Sequence, residues 1–307
     1  MAYNAWVESE EKASKGDCPC TKSMPIDLTV FNPQPIAVAL PGLQVGRRLG
    51  PGGQKAVWEC TYQGQRFVLK VLVAEPNSTE RAKRELAVYR RCNSPFLPRL
   101  GPLPLTNISI GADDVLYYLE EYIEGSTVEQ IARPMPLREV IPMGICMTDA
   151  IEELWKNGFV HRDIKPANII RKANTPEFIL LDAGLALDAS GPSLTQTGGV
   201  VGTTGFRSPD QLQMNKRDLD FRSDLFELGI CMYLCLTDQH PFWNQDLPRG
   251  DIHHNTINFV SPYPQRWNTA LGPEICDLVM RLLEKERHLR YSKFEHLRSD
   301  LNRIVIP

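Results

Sequence analysis

No apolar run in this chain approaches the ~18 residues that a membrane span requires, so the sequence predicts no transmembrane helix. The N-terminus, Met1 to Glu11, lacks a basic start and an apolar core, which predicts no signal peptide. Charge of neither sign dominates: the net charge is -3 over 307 residues, which directs the chain to neither nucleic acid nor an anionic membrane surface. The eight cysteines lack the paired spacing of a zinc site, since Cys18 and Cys20 stand one residue apart with no second pair nearby. Most of the others, among them Cys146, Cys231, Cys235 and Cys276, sit in apolar runs, as the reduced, buried thiols of a cytoplasmic protein do. Without secretion, the sequons at Asn77 and Asn107 carry no meaning. There is no internal repeat, low-complexity tract or separate second domain. With 42% hydrophobic residues, the chain suits one two-lobed domain or two small ones.

The densest chemistry lies in Phe159-Val-His-Arg-Asp-Ile-Lys-Pro-Ala-Asn-Ile-Ile170, a polar middle between apolar ends. That pattern suits a loop slung between two buried elements. Asp163 could accept or orient a proton, Lys165 could neutralise an anion, and Asn168 could hold a metal through its amide oxygen. A second apolar run, Phe178 to Leu181, ends in Asp182-Ala183-Gly184. A strand that delivers a carboxylate to a tight turn suits Mg²⁺, which takes oxygen ligands.

Residues 1 to about 42 read as an extension, charged in its first half and broken by prolines in its second. The apolar patch Ile36 to Leu40 predicts that part of it packs on the lobe beginning near residue 43. Val45 to Trp58 reads as strand, Gly-rich turn, strand. Gly50, Gly52 and Gly53 would let backbone amides come close to phosphates, because no Cβ intervenes. The same residues also suit a plain hairpin. Arg66 to Val73 alternates like a strand, with Lys70 between apolar neighbours where it needs an anionic partner. Asn77-Ser-Thr-Glu80 predicts a capped helix start running to about Cys92. Val115 to Gly125 reads as a strand ending in a turn. Leu137 to Asn157 reads as a helix with a rough 3.6 period, ended by Gly158. Residues 185–210 form a hydroxyl-rich loop, and Phe221 to Leu236 is the most apolar helix.

Taken together these runs resemble the protein kinases, most nearly those of the serine/threonine type. His161-Arg-Asp-Ile-Lys-Pro-Ala-Asn168 followed by Asp182-Ala-Gly184 matches H-R-D-x-K-x-x-N and D-F-G, with Ala183 in place of the Phe. Gly50, Gly52 and Val57 fit the Gly-rich loop, with Lys55 in place of the third Gly. Lys55 could stiffen that loop or offer a second cation to the phosphates. Gly202 to Asp210 resembles the stretch that closes an activation segment. The resemblance implies an α+β, bilobal fold: an N-lobe at 43–124 with a small antiparallel sheet and one helix, and a mainly helical C-lobe at 125–307.

It also implies roles. Lys70 would hold the ATP phosphates and Glu85 would hold Lys70. Asp163 and Lys165 would serve transfer, and Asn168 and Asp182 would bind Mg²⁺. Glu121, Tyr122 and Ile123 would line the adenine site as a hinge, with Glu120 at the back of the pocket. Asp224 would brace the catalytic loop, and Asp210 would pair with Arg290. Thr203 could bridge Asp163 and Lys165. Ser193, Thr195, Thr197 and Thr203 are candidate phosphosites, with Arg162 beside Asp163 to grip the phosphate. ATP and Mg²⁺ are the implied cofactors and a protein the implied substrate, with transient self-association for phosphorylation in trans. The departures at Lys55, Glu120, Ala183 and Asp210 keep a second reading open: a pseudokinase that acts as a nucleotide-binding or scaffold module.

Overall fold

The computed structural model describes residues 26–50, 55–110, 113–188, 203–213, 219–244 and 251–306. Of the predicted site residues, Gly52, Gly53, Ser193, Thr195 and Thr197 lie outside these. A short helix, α1 (Gln34–Ala39), precedes β1 (Leu43–Arg48), β2 (Ala56–Tyr62) and β3 (Gln65–Val73). Then come helix α2 (Pro76–Arg91), β4 (Thr106–Ile110) and β5 (Asp113–Glu121). The five strands form an antiparallel sheet in the order β1-β2-β3-β5-β4. Strand β2 buries alternate residues, Ala56, Trp58 and Cys60, on one face, whereas β3 is buried on both faces from Leu69 to Leu72.

One expectation changes here. Helix α2 starts at Pro76 with Glu75 as its cap, and Asn77 lies inside the first turn. Proline is suited to that first position, since its φ is already helical and the N–H it lacks would have no partner. The segment 26–42 packs on the sheet, in keeping with its apolar patch. Leu28 and Ile36 are buried in the same cluster as Trp58, Leu69 and Leu119. Phe31 packs on Trp58 with ring centroids 5.8 Å apart. The Arg48 guanidinium donates to the Leu28 and Thr29 carbonyls.

The remaining residues are mainly helical. A short strand β6 (Gly125–Thr127) leads to α3 (Leu137–Lys156) and β7 (Phe159–Val160). Strands β8 (Ile169–Lys172) and β9 (Phe178–Leu180) complete a small sheet with β6, and β10 (Leu187–Asp188) pairs with β7. After α4 (Pro209–Gln213) comes α5 (Phe221–Thr237), almost entirely buried. A helix apolar all round can only sit inside a packed bundle, and α6 (Ile252–Asn258), α7 (Pro273–Leu282) and α8 (Phe294–Arg303) follow it. The result is the α+β architecture of two lobes. Among the described residues no helix is long and apolar enough to cross a membrane.

Candidate active site

Helix α3 and strand β7 deliver the loop 161–168 to the cleft between the lobes. Asp163 is buried and its carboxylate is held by groups of the site alone. Its Oδ1 accepts from the Thr203 amide at 2.9 Å and the Thr203 hydroxyl at 2.7 Å. Its Oδ2 accepts from Asn168 Nδ2 at 3.1 Å and lies 3.1 Å from Lys165 Nζ. Lys165 also donates to the Thr203 hydroxyl at 2.5 Å, so Thr203 bridges the acid and the lysine. A threonine hydroxyl engaged on both sides is poorly placed to accept a phosphate itself.

The loop is braced from beneath by α5. Asp224 accepts the His161 and Arg162 amides, both at 2.8 Å, with one oxygen each. One turn further on, Glu227 accepts the Ile164 amide at 2.6 Å. The motif pattern points to Asp224 but not to Glu227. A carboxylate three residues on from Asp224, in an otherwise apolar helix, is the signal that could have found it.

Asp182 faces this loop with a left-handed backbone (φ 62), a conformation that favours glycine and here turns the chain sharply after β9. Its amide donates to the Tyr89 hydroxyl at 3.2 Å, which in turn donates to Glu85 at 3.4 Å. Next to it Ala183 is fully enclosed, in a cluster that includes Val88 and Tyr89 of helix α2. Tyr89 places an aromatic ring beside this turn, and the space around Ala183 is filled. Forcing a larger side chain into filled space costs about 1–3 kcal/mol. Ala183→Phe is accordingly expected to lower Tm and activity together, read by thermal denaturation and a transfer assay. A more active and more stable variant would mean that space stands open there.

A chain of charges crosses the back of the cleft. Lys70 Nζ donates to Glu85, and to Glu120 at 2.6 Å. Strand register explains the second contact: Val68 lies opposite Glu120 and Lys70 opposite Tyr118, so Lys70 and Glu120 are diagonal neighbours on one face. Lys55 lies on the same face, two residues before Val57, which is opposite Lys70. Its Nζ reaches Glu85 Oε2 at 3.2 Å and Asp182 Oδ1 at 2.5 Å. Burial would lower the Lys70 pKa, but Glu120 and then Glu85 hold it well above the ordinary lysine value. Burial pushes Glu120 up to about 7 against the pull of Lys70. Burial would also raise Glu85 and Asp182, yet Lys55 and then Lys70 hold both below the usual carboxylate range.

The cleft itself encloses about 1070 Å³. Gly50, Val57, Glu121, Tyr122 and Ile123 line it together with the polar groups above. Both amide hydrogens of Asn168 point to Asp163, at 2.9 Å to its carbonyl and 3.1 Å to Oδ2. That leaves the Asn168 amide oxygen for a ligand. One amide oxygen and one carboxylate from Asp182 form a hard donor set of the kind Mg²⁺ accepts when phosphates and water complete its shell.

Two arginines lie further from the cleft. Arg290 is wholly buried and its Nη1 meets Asp210 Oδ2 at 2.5 Å. Arg162 is 2% exposed; its Nε and Nη2 donate to the Leu185 carbonyl, and Nη1 finds no partner among the described residues. Burial, then the nearby Arg84 charge, lowers its pKa to about 10. A buried guanidinium with a vacant donor beside further positive charge is an anion site in waiting.

A family profile described as the protein kinase domain matches residues 43–301, and the chain belongs to that family. Among similar proteins, a probable serine/threonine-protein kinase of Streptomyces coelicolor is 29% identical over 272 residues, covering 84% of this chain and 39% of the relative. The serine/threonine-protein kinase pkn3 of Myxococcus xanthus is 29% identical over 272 residues, 83% of this chain and 48% of its own length. PknB of Mycobacterium tuberculosis is 32% identical over 209 residues, 66% of this chain and 31% of its own. The chain thus spans less than half the length of each of these relatives.

Proposed function

We propose that this chain is an ATP-dependent serine/threonine protein kinase. The observation that carries the reading is the bridging of Asp163, Lys165 and Thr203 beside Asn168, with Asp182 lining the same cleft. Asp163 takes the proton of the acceptor hydroxyl as its oxygen bonds to the γ-phosphorus, and the bond from that phosphorus to the bridging oxygen of the nucleoside diphosphate breaks. Lys165 neutralises charge on the moving group. Lys70, anchored by Glu85, fixes the polar wall behind the phosphates. Glu121, Tyr122 and Ile123 present the rim that holds the base. Mg²⁺, when bound on Asn168 and Asp182, supplies charge neutralisation on the phosphate oxygens. Such chemistry depends on positioning and electrostatics more than on covalent steps.

The N-lobe then spans 43–124 and the C-lobe 125–307, with 1–42 as an extension. Pairing of Thr203 with both Asp163 and Lys165 supports a hydroxyl acceptor presented on Ser or Thr rather than on the longer Tyr. The vacant Arg162 donor supports phosphorylation within 190–204 by transient pairing of two copies. Cys60, Cys92, Cys146, Cys231, Cys235 and Cys276 are free, mostly buried thiols, which suits a reducing cytoplasm. The presence of every polar group of the mechanism argues for catalysis over the pseudokinase reading.

The test is transfer from labelled ATP to matched peptides that differ only in Ser, Thr or Tyr as acceptor. Label is expected on the Ser and Thr peptides, with Tyr at least tenfold slower. Equal or faster labelling of Tyr would contradict the assignment of acceptor.

A further inference from the structure

The two lysines of the cleft are not equivalent. Lys70 has a side chain only 6% exposed and is enclosed by two carboxylates. One of these, Glu120, is 3% exposed and meets no other cation within hydrogen-bonding reach among the described residues. Lys55 is more open, at 21%, and its partners are Glu85, which it shares with Lys70, and the outward Asp182, 31% exposed. Glu85 and Glu120 therefore hold Lys70 at the back of the cleft. Lys55 stands nearer the mouth, directly beside Asp182, the carboxylate proposed to hold the metal.

Geometry favours the same assignment. Lys55 adjoins the first residue of β2, and its ammonium meets Asp182 in the cleft that Asp163 and Asn168 also line. A divalent cation on Asp182 repels an ammonium that shares the same oxygen. Both lysines make two ion pairs, but Lys70 is enclosed within a buried strand whereas the more open Lys55 lies just before one, so its four single bonds let its head move a few ångströms.

We propose that Lys55 is a second phosphate-binding lysine. With Mg²⁺-ATP in the cleft its ammonium leaves Asp182 for the nucleotide phosphates, while Lys70, held by Glu85 and Glu120, serves mainly to fix helix α2. This rests on the kinase reading above. It assigns the substitution of a glycine by lysine in the Gly-rich stretch a direct part in binding, and it makes Glu120 the residue that permits the division of labour.

Calorimetric titration of the full chain with Mg²⁺-ATP and, separately, with adenosine tests it. Lys55→Met is expected to weaken Mg²⁺-ATP binding tenfold or more and to leave adenosine within twofold, because adenosine carries no phosphate. Lys55→Arg is expected to bind Mg²⁺-ATP within threefold of the unmodified chain. Adding Glu120→Leu to Lys55→Met frees Lys70 from one of its carboxylates, so the double variant is expected to regain at least threefold in Mg²⁺-ATP affinity. If Lys55→Met binds Mg²⁺-ATP within twofold of the unmodified chain, or loses ATP and adenosine alike, the proposal is overturned while the kinase reading stands. Failure of the unmodified chain to bind Mg²⁺-ATP would overturn both.

Discussion

Replacing Arg290 by Met is expected to destabilise the fold by about 3–5 kcal/mol, the usual cost of leaving one member of a buried ion pair alone. Arg290 is 0% exposed at its side chain and Asp210 is 6% exposed, so water cannot take over the lost interaction. Without the guanidinium, Asp210 retains among the described residues only a long contact, 3.5 Å, from the Ser223 hydroxyl. The Arg222, Glu284 and Lys285 carbonyls, now held at 2.8 to 3.0 Å, also lose their donors. These contacts join α4, the start of α5 and the turn before α8, so their loss loosens the wall of the cleft where the acceptor docks. Arg290→Lys is not a rescue, because a single ammonium cannot reach four acceptors spread around a planar fork. Chemical denaturation should show the midpoint fall with the slope unchanged. A change below about 1 kcal/mol would mean that the pair is solvated and that the buried geometry is not the one in solution.

The second large effect belongs to Asp163→Asn, which is expected to lower phosphoryl transfer by about 10²–10⁴-fold, the range for a lost general base. Both carboxylate oxygens are in use, one by Thr203 and the other by Asn168 and Lys165. An amide can accept at one position only. It therefore surrenders the proton acceptor and turns a donor toward either Thr203 or the Asn168–Lys165 pair. Mg²⁺-ATP affinity should stay within about threefold, since nucleotide binding rests on other groups, and kcat should carry the loss. Equal losses in affinity and rate would assign Asp163 to binding rather than to transfer.

The order of motifs along the chain foretells much of this arrangement, since the loop 161–168 and the turn at 182–184 are local, and local spacing reads directly. The Asp210–Arg290 pair is legible through resemblance alone, because eighty residues separate the partners and no periodicity links them. Three features are hidden from sequence. Glu227 looks like one polar residue in an apolar helix, and its partner, the Ile164 amide, belongs to the backbone of a distant loop. Tyr89 meets the Asp182 amide and shares a cluster with Ala183, a matter of packing between α2 and the turn after β9. The joining of Lys55, Lys70 and Glu120 requires the register of three strands, although each residue stands out singly against its neighbours. The start of α2 lies at Pro76 rather than after Asn77, because a proline already set at a helical φ outweighs the capping pattern beside it.

One experiment meets the central claim directly. The dephosphorylated chain and its Asp163→Asn variant are incubated with Mg²⁺-ATP, and intact mass is measured together with phosphopeptide mapping. The account predicts mass added in steps of one phosphoryl group in the unmodified chain only, with sites within 190–204. No added mass in either protein, together with a melting temperature still raised by ATP, would contradict the account and favour a nucleotide-binding pseudokinase.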